Sequence, residues 1–208
     1  MKTTKRDMKV LAMAACVAMG FGCGAQVEEG GGEDALRTSD LAGTWASPSC
    51  EVGGAPGSEF YYERLFTLTE TTWALDFTLY TDADCATAGS MATITGPYTL
   101  GEGSDTIEGA HVADFTNGTK TLTAFDAGTA GFFEGSGCGE GAWVVGEAKD
   151  ISQTGCAPLG VEAIDDCPVE YDLIRLEGDE LFFGDRSAGM CDPGARTGAL
   201  QTVPVVLQ

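Results

Sequence analysis

Phe60-Tyr61-Tyr62-Glu63-Arg64-Leu65-Phe66-Thr67-Leu68 and, after the polar connection Thr69-Glu70-Thr71-Thr72, Trp73-Ala74-Leu75-Asp76-Phe77-Thr78-Leu79-Tyr80 decide how this chain folds. In the first run Phe60, Tyr62, Phe66 and Leu68 alternate with Tyr61, Glu63, Thr67 and Thr69. In the second, Trp73, Leu75, Phe77 and Leu79 alternate with Ala74, Asp76, Thr78 and Tyr80. A period of two collects each set on one face of a strand, so the pair predicts a β-hairpin with an apolar inner face. Working outward, strands are expected over 43–49, 91–100, 106–115, 119–125, 142–148, 169–176, 181–184 and 199–207. A single short helix is expected over 126–133 (DAGTAGFF), with Asp126 as its N-cap. About ten strands with glycine-rich breaks and no internal repeat indicate an all-β protein, an antiparallel barrel or sandwich.

The chain has 208 residues, with 11 Lys and Arg against 32 Asp and Glu and a net charge of −21. Lys2, Lys5, Arg6 and Lys9 gather at the N-terminus; beyond residue 22, seven basic residues face 31 acidic ones. Such a surface repels phosphate backbones and excludes nucleic acid as a partner. Hydrophobic residues make up 43% of the chain, too many for an acidic disordered segment and enough for one domain with a core.

The basic N-terminus leads into an uncharged, largely apolar stretch over 10–22, too short to span a bilayer but suited to a signal peptide. It ends in Met19-Gly20-Phe21-Gly22-Cys23, which resembles the bacterial lipobox, with Gly20 where Leu is usual. The expectation is a lipoprotein signal peptide over 1–22 and a lipidated Cys23, with Cys16 as the rival site. A flexible acidic, Gly-rich tether over 23–40 and a folded domain over 41–208 follow. The protein is then exported to the cell envelope, anchored by lipid to the outer membrane.

Six cysteines remain beyond the signal region: Cys50, Cys85, Cys138, Cys156, Cys167 and Cys191. An even number in an exported chain predicts disulfides, and six allow 15 connectivities. One pair follows from hairpin arithmetic. If a three-residue loop, 178–180, joins the strands predicted over 169–176 and 181–184, positions 167 and 191 fall opposite each other, within reach of a disulfide.

The run Leu41-Ala42-Gly43-Thr44-Trp45-Ala46-Ser47-Pro48-Ser49-Cys50-Glu51, then Phe60, Arg64, Phe66, Trp73 and Tyr80-Thr81-Asp82-Ala83-Asp84-Cys85, resembles the adenomatosis polyposis coli down-regulated family, vertebrate Wnt antagonists. The likeness continues through Gly96, Tyr98, Lys120 to Thr123, Asp126-Ala127, Cys138-Gly139, Trp143, Gly146, Gly155-Cys156 and Leu159-Gly160. It ends with Glu170-Tyr171, Leu181-Phe182-Phe183 and Arg196…Pro204. The resemblance implies a β-barrel around a deep apolar pocket that takes a lipid or acyl chain, and the pairs Cys50–Cys85 and Cys138–Cys156. Cys167 and Cys191 are additions to the family pattern, left to pair with each other. The vertebrate proteins carry two barrels and a C-terminal membrane segment, whereas one barrel is expected here. Wnt does not occur in bacteria, so that partner does not carry over. Gly43-x-Trp45 on a first strand is also similar to the lipocalins.

Together these readings give a lipocalin-like, disulfide-stapled barrel that binds an apolar small molecule or acyl chain without catalysis; the alternative is a surface protein-interaction or structural module with a filled barrel. Its candidate ligand residues are Phe60, Tyr62, Arg64, Phe66, Leu68, Trp73, Leu75, Phe77 and Leu79. Arg64 shares the inner face, where a guanidinium requires a partner. It either fixes the ligand's head group, or forms a structural ion pair, or stacks on Trp45. The aromatic face either lines a cavity or fills a core. His111 is the single imidazole, and no nucleophile elbow or phosphate loop accompanies it, so no enzyme is expected. The pairs Asp82/Asp84 and Asp165/Asp166 read as solvated surface, and no metal or cofactor is expected. A protein partner is left unspecified.

Overall fold

The computed structural model describes residues 36–186 and 189–208. The signal peptide, Cys23 and the tether up to residue 35 lie outside the described residues. The folded unit begins at Leu36, which packs against the main core, and a short helix α1 (Thr38–Leu41) buries Leu41 before the first strand.

β1 (Gly43–Ala46) and β2 (Glu51–Gly53) run in succession along one edge of β3 (Phe60–Leu68), opposite 65–68 and 60–62 respectively. β3 turns into β4 (Thr72–Tyr80) through the expected hairpin, with Leu68 opposite Trp73 and Tyr61 opposite Tyr80. β4 pairs with the sixteen-residue β5 (Ala88–Gly103). Along the far edge of β5 lie β6 (His111–Thr116), opposite 98–103, and β7 (Thr119–Ala124), opposite 90–95. These two amount to one strand broken at Asn117-Gly118. At the break the chain crosses Gly96 so closely that a Cβ there would lie 1.9 Å from the Thr116 carbonyl oxygen.

After β7 come α2 (Ala127–Gly135), β8 (Ala148–Asp150), β9 (Val169–Glu177), β10 (Glu180–Phe183) and β11 (Val205–Leu207). The closed ring is β1-β3-β4-β5-β6-β9-β10-β11, eight antiparallel strands, with β2, β7 and β8 outside it. The all-β barrel expectation therefore holds. Its shape follows from strand lengths. β3, β4 and β5 are long, while β10 and β11 have four and three residues, so the ring closes over only part of the height of its long wall.

At the closed end Trp45, Phe66, Leu68, Trp73, Tyr98, Phe115, Leu181 and Phe183 fill the interior. Phe66 stacks on Phe183 at 4.2 Å and Trp73 meets Phe115 edge-on at 5.0 Å, geometries that add to burial. The polar ring atoms are satisfied: the Nε1–H groups of Trp45 and Trp73 donate to the carbonyls of Leu41 and Thr116, and the Tyr98 hydroxyl donates to that of Thr69. A second core of Leu122, Ala124, Phe133, Trp143 and Ile151 lies under α2. The Asp126 side chain caps α2 as expected, accepting from the Thr129 N–H.

All three disulfides are present: Cys50–Cys85, Cys138–Cys156 and Cys167–Cys191. The hairpin arithmetic behind the third was wrong. Glu177 faces Glu180, so the turn has two residues, Gly178-Asp179. Pairing of β9 with β10 ends at Ile174 and Phe183, and farther on the Tyr171 N–H reaches the Met190 carbonyl in a shifted register. The strand expected over 142–148 is a loop that joins β8 only at its last residue. Gly141 and Gly146 take left-handed backbone there, and Trp143 turns inward, donating to the Cys138 carbonyl. The strand expected over 106–115 starts only at His111, after a turn with Gly109 at φ 72°. That over 199–207 shrinks to β11, with an isolated bridge at Leu200.

Candidate functional site

Above the closed end, the inner face of the long wall continues, faced mainly by loops. Cross-strand partners share a face, so the register defines successive rows about 6.6–6.8 Å apart. Leu68 and Trp73 lie in the closed-end row. The next row is Phe66-Leu75-Ile94-Lys120, then Arg64-Phe77-Ala92-Leu122, then Tyr62-Leu79-Ser90-Ala124. From the second row upward the wall borders a cavity of about 1080 Å³. Its remaining sides come from residues 49–54, 159–162, 167, 170, 185–186, 189–191 and 200–203. Tyr62 stacks on Phe77 at 4.9 Å and lies 5.6 Å from Phe60. At the rim Val52, Phe60 and Val203 are exposed.

Six of the nine candidate ligand residues therefore line one cavity: Phe60, Tyr62, Arg64, Phe66, Leu75 and Phe77. Leu68 and Trp73 are packed into the closed end, and Leu79 is half-buried away from the lining. His111 begins β6, with Nδ1 3.4 Å from the Gly101 carbonyl oxygen, and does not line the cavity.

Arg64 is 5% exposed and fully engaged. Its Nε and Nη2 donate to the two carboxylate oxygens of Glu51 at 2.7 and 2.9 Å, Nη1 donates to Gln201 Oε1, and Nη2 also donates to the Val203 carbonyl at 3.0 Å. This is the structural ion pair among the alternatives for this residue, and it ties β2 and the 201–203 segment to the wall. Glu51 was not legible as the partner, because nothing periodic marks its three-residue strand.

A second charged group borders the cavity on β9. Arg186 Nη1 donates to Glu170 at 3.1 Å, and Nη2 lies 3.5 Å from Asp172. Asp172 is completely buried, and burial pushes its carboxyl up to about 6, against the pull of Arg186 and of the N–H groups of Leu173 and Gly184.

Lys120 is the residue that sequence reasoning missed as a site. It is 2% exposed and lines the cavity, opposite Ile94. Its Nζ donates to the Glu162 carbonyl at 2.9 Å. Burial lowers its pKa, partly offset by the carboxylates of Glu170 and Glu162. The signal was available: Lys120, Leu122 and Ala124 alternate with Thr121 and Thr123, which puts a lysine on the inner face.

The molecule is thus an eight-stranded, disulfide-stapled antiparallel barrel, packed at one end and hollow at the other. By sequence it belongs to the adenomatosis polyposis coli down-regulated 1 family, whose pattern it matches over residues 24–129, just over half the chain. The matched stretch carries β1 to β7, including Arg64, Lys120 and the aromatic wall; the strands β9 to β11 that close the ring lie beyond it. No curated protein matches the chain.

Proposed function

We propose that the protein holds an apolar ligand, an acyl chain or a lysolipid, in the hollow half of the barrel and catalyses no reaction on it. The observation that carries this reading is the cavity of about 1080 Å³ walled by Phe60, Tyr62, Phe66, Leu75, Phe77 and Ile94. Its volume is at the upper end of the roughly 300–1,000 Å³ of small-molecule sites, enough for a long chain. Binding is driven by apolar burial, about 0.8 kcal/mol for each methylene removed from water. Arg64 serves by holding the rim together. The family reading supports a pocket for an acyl group, and the N-terminal pattern supports an exported protein tethered through Cys23, with its ligand drawn from the envelope.

Calorimetric titration of the purified, delipidated full chain with fatty alcohols of increasing length tests the reading. Affinity should rise several-fold per added methylene until the cavity is filled. No binding at any length at high micromolar concentration would overturn it.

A further inference from the structure

We propose that Lys120 receives the carboxylate of the bound acyl ligand, which makes the cavity selective for fatty acids over neutral chains of the same length. The proposal rests on the acyl-binding reading above and assigns the polar end of that ligand to a specific atom, Lys120 Nζ.

The first argument is charge accounting around the cavity. Of the carboxylate residues bordering the cavity, Glu51 is neutralised by a two-pronged bond from Arg64 and Glu170 by Arg186, which also approaches Asp172; Glu162 and Asp185 border it as well. Lys120 differs from both arginines: among the described residues no carboxylate lies within 4.0 Å of its ammonium. Buried cations are rarely left so, because desolvation without a counter-charge costs several kcal/mol.

The second is hydrogen-bond capacity. An ammonium has three N–H donors. Among the described residues one acceptor is present, the Glu162 carbonyl, itself part of the cavity lining. Two donors are left for the space that Lys120 borders. A carboxylate takes both and supplies the missing charge in one group. A phosphate dianion would leave excess negative charge beside Glu170, so a monoanion fits better.

The third is position. Lys120 shares its row with Phe66, Leu75 and Ile94. A carboxylate held at Nζ therefore starts its hydrocarbon chain against the apolar wall. Burial lowers the Lys120 pKa despite the carboxylates of Glu170 and Glu162, and an anionic ligand at Nζ would raise it again.

The test uses the delipidated full chain, dodecanoate and dodecanol. The wild type should bind dodecanoate at least about tenfold more tightly than dodecanol, the scale of a charge-assisted bond. Lys120→Met keeps the length and apolar stem of the side chain; it should abolish the preference for dodecanoate over dodecanol. In parallel, the carboxyl ¹³C resonance of labelled dodecanoate bound to the wild type should titrate at lower pH than in the free acid, a readout that needs no variant to fold. Equal wild-type affinities, a preference that survives Lys120→Met, or an unshifted carboxyl titration would each overturn the assignment while leaving the apolar pocket standing. Binding of neither ligand would overturn the pocket and this assignment together.

Discussion

Trp73 and Phe77 project from the same face of β4, yet one is buried against Phe115 with its Nε1–H bonded to Thr116, and the other stacks on Tyr62 beside open space. Nothing in the alternation distinguishes them. What differs is the opposite wall: Ile174, Leu181, Phe183 and Val205 of β9, β10 and β11 share the packed core of Trp73, whereas mainly irregular segments, around 159–162 and 200–203, surround the cavity. An aromatic on a barrel strand becomes core or ligand wall according to how far the closing strands extend. The packed end supplies stability, and the hollow end leaves its aromatics beside open space.

Substitutions in the two regions should separate these roles. The largest effect is expected at the packed end. Trp73→Ala removes a fully packed indole and should cost about 3–5 kcal/mol in urea unfolding, whereas Phe77→Ala, already beside a void, should cost under about 2 kcal/mol while weakening acyl binding. Equal losses at the two positions would break the distinction.

Arg64 belongs to the hollow end by position and to the stabilising half by role. Arg64→Met strands the buried Glu51 and should destabilise by about 3 kcal/mol, and Arg64→Met with Glu51→Met should recover most of it. Measuring both by urea unfolding tells whether the rim ion pair or the charge itself matters.

Asp172 gives a pH signature on the ring side. Its folded pKa of about 6 exceeds the ordinary 3.8, so between these values the folded state holds a proton that the unfolded state releases. Its contribution is most favourable below about pH 4 and falls by on the order of 2–3 kcal/mol as pH rises through 6. The difference in unfolding free energy between wild type and Asp172→Asn, followed from pH 4 to 7, should show that slope. A flat difference would remove Asp172 as the cause.

The smallest expected change in stability is Phe77→Trp, within about 1 kcal/mol because the cavity has room, and ligand affinity should fall for charged and neutral chains alike. Loss of affinity for only one class would place the ligand elsewhere.

The long wall was legible in sequence because its period-two alternation is set by one-sided burial; the β3–β4 hairpin has the predicted strands and inner face. The Asp126 cap was legible because capping is local chemistry. The short strands were not. Three-residue β2, β8 and β11 carry too little pattern, and Gly146, with left-handed backbone, interrupts the 142–148 run that reads as a strand. The Cys167–Cys191 bond was inferred correctly from a wrong loop length, since chain beyond the paired part of β9 and β10 absorbs the offset. At the site, the cavity residues of β3 and β4 were named and the alternation that turns Lys120 inward was legible though unused, but Glu51 and the loop walls depend on tertiary proximity that no spacing records.

Native mass spectrometry of the full chain, gently extracted from producing cells, addresses most directly whether the hollow end is a binding site. The expected spectrum shows the chain with one added mass, that of a single acyl lipid, released on activation and diminished in Phe77→Trp. A bare chain in that spectrum, together with a delipidated protein that takes up no fatty acid or fatty alcohol when these are added back, would contradict the reading of the hollow half as a ligand cavity.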